Sequence, residues 1–164
     1  MGRTRGTGVE AIDLSVDHKP DRPDERTRIV QHGGRVEPVR LQSSQNFVGP
    51  MRVWKQKSNL PGLAVSRSLG DIVAQQIGVT PQPEFTHTKI DAKDRFLIIA
   101  SDGVWEWLSS QEAVEIVNKE PDAEAACESL TRHAYSMWEK EGGGIADDTT
   151  AVVIEFFPED WEFE

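Results

Sequence analysis

The clearest hydrophobic pattern lies in the second half of the chain. EFTHTKI (84–90) alternates with a period of two, which predicts a half-buried strand. Asp91-Ala92-Lys93-Asp94 reads as a turn. RFLIIAS (95–101) is a short continuous apolar run, the pattern of a central strand covered on both faces. Two strands joined by a tight turn predict a hairpin, and hence antiparallel pairing. Ser109-Ser110-Gln111-Glu112 has the Ser-x-x-Glu spacing of a capping box and opens a helix of about ten residues. A second helix begins at Pro121-Asp122. It sets Ala123, Ala126, Cys127, Leu130, Ala134, Met137 and Trp138 on one face, and Gly142-Gly143-Gly144 ends it. TTAVVIEFF (149–157) is the last β-rich stretch, and an acidic tail follows over 158–164.

The first half is less regular. VEAIDLSV (9–16) alternates poorly but is rich in β-formers, and predicts a strand. Pro20 and Pro23 open a helix over Asp24 to Gln31, and Gly33-Gly34 stop it. Residues 35–65 hold no long periodic pattern and are punctuated by Pro38, Gly49, Pro50, Pro61 and Gly62. They predict an exposed, irregular excursion with one short strand over Met51–Trp54. Interspersed strands and helices with an antiparallel hairpin give an α+β class, helices packed on an antiparallel sheet.

Composition narrows the function classes. The 164 residues are 37 % hydrophobic, enough for the core of one domain. No run approaches the ~20 apolar residues that cross a bilayer, so no membrane partner is expected. The basic opening MGRTRGTG lacks a following apolar run and does not read as a signal peptide. A single cysteine, Cys127, excludes an internal disulfide and a cysteine zinc cage. An intracellular location, cytoplasmic or nuclear, fits that usage. Residues 1–82 carry 12 Lys/Arg and 8 Asp/Glu, whereas residues 83–164 carry 6 and 20. The resulting net charge of −10 argues against nucleic acid as a partner. The acidic half is either a solvated surface or a holder of hard cations.

Two acidic positions stand at strand ends. Asp102 directly follows FLIIAS, and Asp147-Asp148 precede TTAVVIEFF. If these strands lie side by side and antiparallel, Asp102 and Asp147 meet at one edge of the sheet. Paired carboxylates repel, and a divalent metal joins them without protonation. Gly103 then gives room for close approach to metal or water. The plainer reading is that Asp-Gly and Asp-Asp are turn or cap residues. The four histidines show no ligand spacing, Cys127 sits on an apolar helix face, and neither Ser66 nor Ser68 lies in a nucleophile elbow.

Four stretches in order carry a resemblance: LSVDHKPDRPDERTRIVQHGGRV (14–36), PGLAVSRSLGD (61–71), RFLIIASDGVWEWLSSQEAVEIV (95–117) and ADDTTAVVI (146–154). Together they resemble the C-terminal half of the metal-dependent Ser/Thr protein phosphatases, the type 2C or PPM family. The resemblance implies part of an α-β-β-α sandwich of stacked antiparallel sheets, with residues 1–157 as the C-terminal part of the domain. It implies two Mg²⁺ or Mn²⁺ ions in a cleft, and water attack on phosphoserine or phosphothreonine in proteins. Asp102 and Asp147 fall on metal-ligating positions, and Glu106 falls near a third metal site. SRSLGD (66–71) falls on a mainly structural signature, with Asp71 placed to join the acidic network. Residues 38–62 resemble the flap beside the cleft, where Arg52, Trp54 and Lys55 would meet substrate. The family's N-terminal half, with its Glu-Asp pair, Asp-Gly-His-Gly segment and phosphate-gripping Arg, has no counterpart here. The resemblance therefore implies an enzyme that dephosphorylates phosphoproteins, with this chain alone inactive and completed by that half or by self-association. The alternative is a truncated, non-catalytic domain that binds phosphoproteins or regulators.

Overall fold

The computed structural model describes residues 1–40, 47–142 and 146–156. In chain order the elements are β1 (Gly2–Arg5), β2 (Gly8–Ala11), α1 (Pro23–Gln31), β3 (Gly34–Arg40), β4 (Phe47–Lys55), β5 (Pro61–Leu63) and α2 (Ile72–Gln75). Then come β6 (Asp94–Ala100), α3 (Asp102–Trp105), α4 (Ser110–Val117), α5 (Ala123–Glu141) and β7 (Ala151–Glu155). They form two compact units, Met1–Leu14 with His87–Glu164, and Ser15–Thr86. The α+β class with antiparallel sheets flanked by helices is as the sequence predicts. No helix among the described residues is long and apolar enough to cross a membrane.

The first unit is a four-stranded antiparallel sheet in the order β2-β1-β6-β7. Phe96, Ile98 and Val153 point from it into a core completed by Val104, Leu108, Ala113, Val114, Val117, Ala126, Leu130 and Ala134. Burying those side chains is the main drive for α4 and α5 to pack on this sheet. The predicted capping box is formed: Ser109 Oγ accepts from the Glu112 amide, and Glu112 Oε2 accepts from the Ser109 amide at 2.9 Å. Ser109→Ala is expected to cost about 1 kcal/mol. A urea melt checks it, and an unchanged midpoint would mean the cap contributes nothing. Gln111 on α4 also seals the outer edge of β2, accepting from the Ala11 amide at 2.9 Å and donating to the Val9 carbonyl at 3.0 Å.

Three expectations for this unit need correction. Residues 84–90 form no strand and are mostly exposed, with Phe85 at 89 %. Their alternation is real, but β6 takes β1 and β7 as its partners instead. The strand expected over 9–16 is confined to Gly8–Ala11 and pairs with β1 through a tight turn at Gly6, whose φ is +60°. β6 is central, but only one of its faces is covered among the described residues. Ile99 is half-exposed beside Val152 on β7, and Leu97 faces the exposed Ile154.

The second unit is a three-stranded antiparallel sheet, β3-β4-β5, with α1 packed on β3. Ile29, Val36, Val53, Ala74, Ile77 and Val79 form its core. Gly34 lies so close beneath α1 that a Cβ there would sit 2.6 Å from Ile29 Cγ2. The described part of 35–65 is therefore largely a sheet, and the expectation of irregular structure was wrong. Pro61 and Gly62 lie within β5, and the other three breaker residues lie where the β3–β4 ladder is interrupted. Pairing runs from Gly34↔Lys55 to Glu37↔Arg52, then resumes at Val39↔Val48. Pro38, Gly49, Pro50 and Met51 fall in the gap, where a missing amide breaks no ladder bond. Residues 41–46 and the acidic tail over 158–164 lie outside the described residues.

Candidate metal-binding site

The β6–β7 ladder ends at Ala100↔Ala151, and beyond it the two chains stay bonded. The Ser101 amide donates to the Thr150 carbonyl at 3.0 Å. The Ser101 hydroxyl donates to the Asp148 carbonyl at 3.0 Å and accepts from the Thr150 amide at 3.1 Å. One short side chain thus clamps the Asp-Asp segment to the start of α3. The sequence reading gave Ser101 no role, although a hydroxyl beside an Asp-Gly turn is a common local clasp.

Asp102 is the first residue of α3, and Glu106 lies one turn on, its amide donating to the Asp102 carbonyl at 2.9 Å. Gly103 is buried against the other strand, where a Cβ would meet the Asp148 carbonyl oxygen at 2.5 Å and Thr149 Oγ1 at 2.8 Å. The space that glycine opens is therefore used by backbone rather than by a ligand. Three tryptophans hold this corner. Trp105 Nε1 donates to the Ala100 carbonyl at 2.9 Å, Trp138 Nε1 to the Gly103 carbonyl at 2.8 Å, and Trp107 meets Trp138 edge-on at 5.3 Å.

Asp102 and Asp147 thus leave the same end of the sheet, on backbone segments that touch. Both are exposed, and neither forms an ion pair among the described residues. Among the described residues, Asp147 Oδ1 accepts from the neighbouring Asp148 amide, at 2.8 Å. Two unneutralised carboxylates on a rigid corner are hard oxygen donors, the chemistry that Mg²⁺ and Mn²⁺ take. Glu106 is also exposed and without an ion pair among the described residues, but its carboxylate does not gather with those of Asp102 and Asp147 within 4.8 Å.

A second acidic cluster, in the other unit, has the opposite chemistry. Asp24, Glu25 and Glu84 bring carboxylate oxygens within 4.8 Å of one another. Arginines already occupy those oxygens. Glu25, fully buried, accepts from Arg28 at 2.8 and 2.6 Å and from Arg67 at 2.6 Å. Arg22 bonds Asp24 at 2.7 Å and also pairs with Glu84, which Arg67 reaches at 2.6 Å. Burial pushes the Glu25 carboxyl up, but the Arg28 and Arg67 hydrogen bonds outweigh it and hold it well below the usual range. The Arg22 hydrogen bond lowers Asp24 to about 2, and, with His18 adding to it, lowers Glu84 to about 2. This cluster is an ion-pair network whose charge the arginines already balance. Asp71, expected to join the acidic network of the metal site, is exposed at the start of α2 and makes no ion pair among the described residues.

Of the three flap residues singled out from sequence, Trp54 and Arg52 bond within the β3-β4-β5 sheet and Lys55 bonds the end of α2. Trp54 Nε1 donates to the Glu37 carbonyl at 2.8 Å, and its ring lies between the Arg35 guanidinium, 5.4 Å from the centroid, and Gly62. Arg52 Nη1 donates to the Gly62 carbonyl at 2.7 Å, and Lys55 Nζ to Gln76 Oε1 at 3.2 Å.

Comparison with known proteins identifies the family of the chain. Residues 4–141 match the family model described as protein phosphatase 2C. A probable protein phosphatase 2C 48 from Oryza sativa subsp. japonica is 41 % identical over 93 % of this chain and 42 % of its own length. A probable protein phosphatase 2C 34 from Arabidopsis thaliana is 38 % identical over 90 % of this chain and 40 % of its own. The crystal structure of a serine-threonine phosphatase 2C from Toxoplasma gondii superposes with a TM-score of 0.78 and 27 % identity, covering 96 % of this chain and 51 % of that one. The chain thus spans about two fifths of these curated relatives. With a model match over most of its length, this chain belongs to the protein phosphatase 2C family.

Proposed function

We propose that this chain is the part of a metal-dependent protein phosphatase domain that supplies Asp102 and Asp147 to a Mg²⁺ or Mn²⁺ centre. The observation that carries the reading is the corner itself: two carboxylates without an ion pair among the described residues, on segments clamped by Ser101, with Gly103 pressed on Asp148. Glu106 stands ready for a further ion. When bound, such metals activate water for attack on a phosphoserine or phosphothreonine phosphorus. The chain's own residues position the ligands: Ser101, Trp105 and Trp138 fix the two backbone segments, so the carboxylates need little reorganisation to bind. The remaining ligands and the phosphate grip come from parts of the family domain outside these 164 residues. The uncovered Ile99, Val152 and Ile154 face supports a packing partner for this sheet, either those parts or a second copy.

Two or three carboxylates leave a metal most of its waters and bind it weakly. The expected result is Mn²⁺ binding in the millimolar range by calorimetry, lost in Asp102→Asn and in Asp147→Asn with the melt unchanged. Phosphopeptide turnover by the 164-residue chain is expected to be negligible. Metal heats identical in the wild type and both variants would overturn the metal assignment, and turnover abolished by Asp102→Ala would overturn the inactivity.

A further inference from the structure

The sheet of the first unit ends in β2, and one side chain closes that edge. In the β1–β2 ladder the Ile12 amide donates to the Met1 carbonyl at 2.8 Å. Alternate residues face alternate ways, so Ile12 and Glu10 turn their peptide groups toward β1, and Ala11 and Val9 turn theirs outward. A strand added outside β2 would have to bond the Val9 carbonyl and the Ala11 amide. Gln111 bonds both: its Oε1 accepts from the Ala11 amide at 2.9 Å, and its Nε2 donates to the Val9 carbonyl at 3.0 Å. The side-chain amide thus does what a peptide group of a neighbouring strand would do. Gln111 is exposed, and its Nε2 also donates to Glu115 Oε1, one turn along α4, at 2.8 Å. It therefore keeps a partner on its own helix when it leaves β2.

The chain also holds a strand-like segment with nothing to pair with. Residues 84–90 alternate like a strand, yet none of residues 85–90 makes a hydrogen bond among the described residues, and Phe85 is 89 % exposed. The segment is tied at both ends. Arg67 holds Glu84 at 2.6 Å, and the Asp91 amide donates to Asp94 Oδ2 at 3.0 Å. An unpaired run of peptide groups with β-strand alternation is a ready donor for any open sheet edge.

We propose that β2 is a guarded edge, where Gln111 occupies the bonds through which residues 85–90 of a second copy would otherwise add as a strand. Charge selects this occupant over a second β2. Two β2 strands bonded through Val9 and Ala11 would set the Glu10 side chains of the two copies directly opposite, which is destabilising. Residues 85–90 bring His87 and Lys89 and no acid to an edge bordered by Glu10 and Glu115. The guard acts on assembly of the chain and is independent of the metal reading.

The test is sedimentation velocity of the 164-residue chain as wild type and as Gln111→Ala, with a thermal melt of each. Gln111→Ala is expected to raise the association constant about ten-fold, the order set by removing two hydrogen bonds that compete for the edge. Amide exchange at Ala11 should quicken in the dilute variant and slow again as its concentration rises. Adding Ala11→Pro, which removes only an outward amide, should return Gln111→Ala to wild-type association. So should His87→Pro with Thr88→Pro, since adjacent prolines cover both alternations of the donor segment. Association of Gln111→Ala equal to that of the wild type would overturn the proposal. Association that Ala11→Pro leaves in place would also overturn it, because it would arise from another surface or from unfolding. Reversal by Ala11→Pro without reversal by the proline pair would do the same, because the edge would then be pairing with a different strand.

Discussion

Glu25→Gln is expected to destabilise the Ser15–Thr86 unit by about 3 kcal/mol or more. The substitution keeps the side-chain volume and removes only the charge. Glu25 is fully buried and is the acid shared by Arg22, Arg28 and Arg67. Without it, three guanidiniums remain around a neutral amide that offers one acceptor oxygen. Arg28 also donates to the Ser66 carbonyl at 3.0 Å and the Gly78 carbonyl at 2.8 Å, and Arg67 to the Gln82 carbonyl at 2.9 Å. The network therefore ties α1 to the segments on either side of α2. Hydrogen exchange at the α1 and β3 amides reads this unit directly. Protection equal to the wild type would show that the network contributes no net stability.

The same network sets the acid limb of stability. Its carboxylates have folded pKa values depressed below their ordinary 3.8 and 4.5, to about 2 for Asp24 and Glu84 and lower still for Glu25. A depressed folded value means that the unfolded chain binds protons first as pH falls. The stabilisation is thus complete above about pH 5 and is lost progressively down to about pH 2 for Asp24 and Glu84, and further down for Glu25. Denaturation midpoints of the wild type should fall across that window, and Glu25→Gln should flatten the fall.

Local chemistry is what could be read in the sequence. The Ser109–Glu112 box, the apolar face of α5 and the short run of β6 each follow from residues a few positions apart, and each is in the structure. What failed depends on distant partners. Residues 84–90 alternate like a strand but follow Pro81 and Pro83, and no neighbour offers them a ladder. β6 pairs instead with β1, about ninety residues away, through Gly2↔Phe96, a partnership no local window reveals. There Gly2 is required, since a Cβ would lie 2.4 Å from the Phe96 ring. The β3–β4 hairpin was hidden for the opposite reason. Its breakers are real, but they are gathered in one gap of the ladder, which composition cannot distinguish from a loop.

The candidate site divides in the same way. Asp102 and Asp147 are visible as acids at strand ends, and the antiparallel pairing that the reading of them assumed is present between β6 and β7. The Glu25 network was missed although PDRPDERTR places its acids and arginines in plain sequence. Its meaning depends on Arg67 and Glu84 arriving from far along the chain. Arg52 and Lys55 look free in sequence because their partners, the Gly62 carbonyl and Gln76, are supplied by folding.

Gly103→Ala is expected to damage the corner that carries Asp102 and Asp147 more than its chemistry suggests. Within a helix, alanine is ordinarily favoured over glycine by up to ~1 kcal/mol, so propensity alone predicts a gain for α3. Contact predicts the reverse. The new methyl would lie 2.5 Å from the Asp148 carbonyl oxygen and 2.8 Å from Thr149 Oγ1, and the nearer atom is backbone. Something must move, and the segments available are α3 or the strand leading into β7. Either movement strains the Ser101 clasp on Asp148 and Thr150 and the Trp138 bond to the Gly103 carbonyl. Overpacking of this kind costs about 1–3 kcal/mol. Because the two aspartates ride on the displaced segments, Mn²⁺ affinity should fall by roughly ten-fold or more, as for lost support around a metal site. Gly8→Ala is the matched control, with no atom nearer than the Arg5 carbonyl oxygen at 3.9 Å, and should leave metal binding unchanged. A Gly103→Ala protein that melts at or above the wild-type temperature and binds Mn²⁺ as well would show that Asp102 and Asp147 do not depend on this contact for their placement.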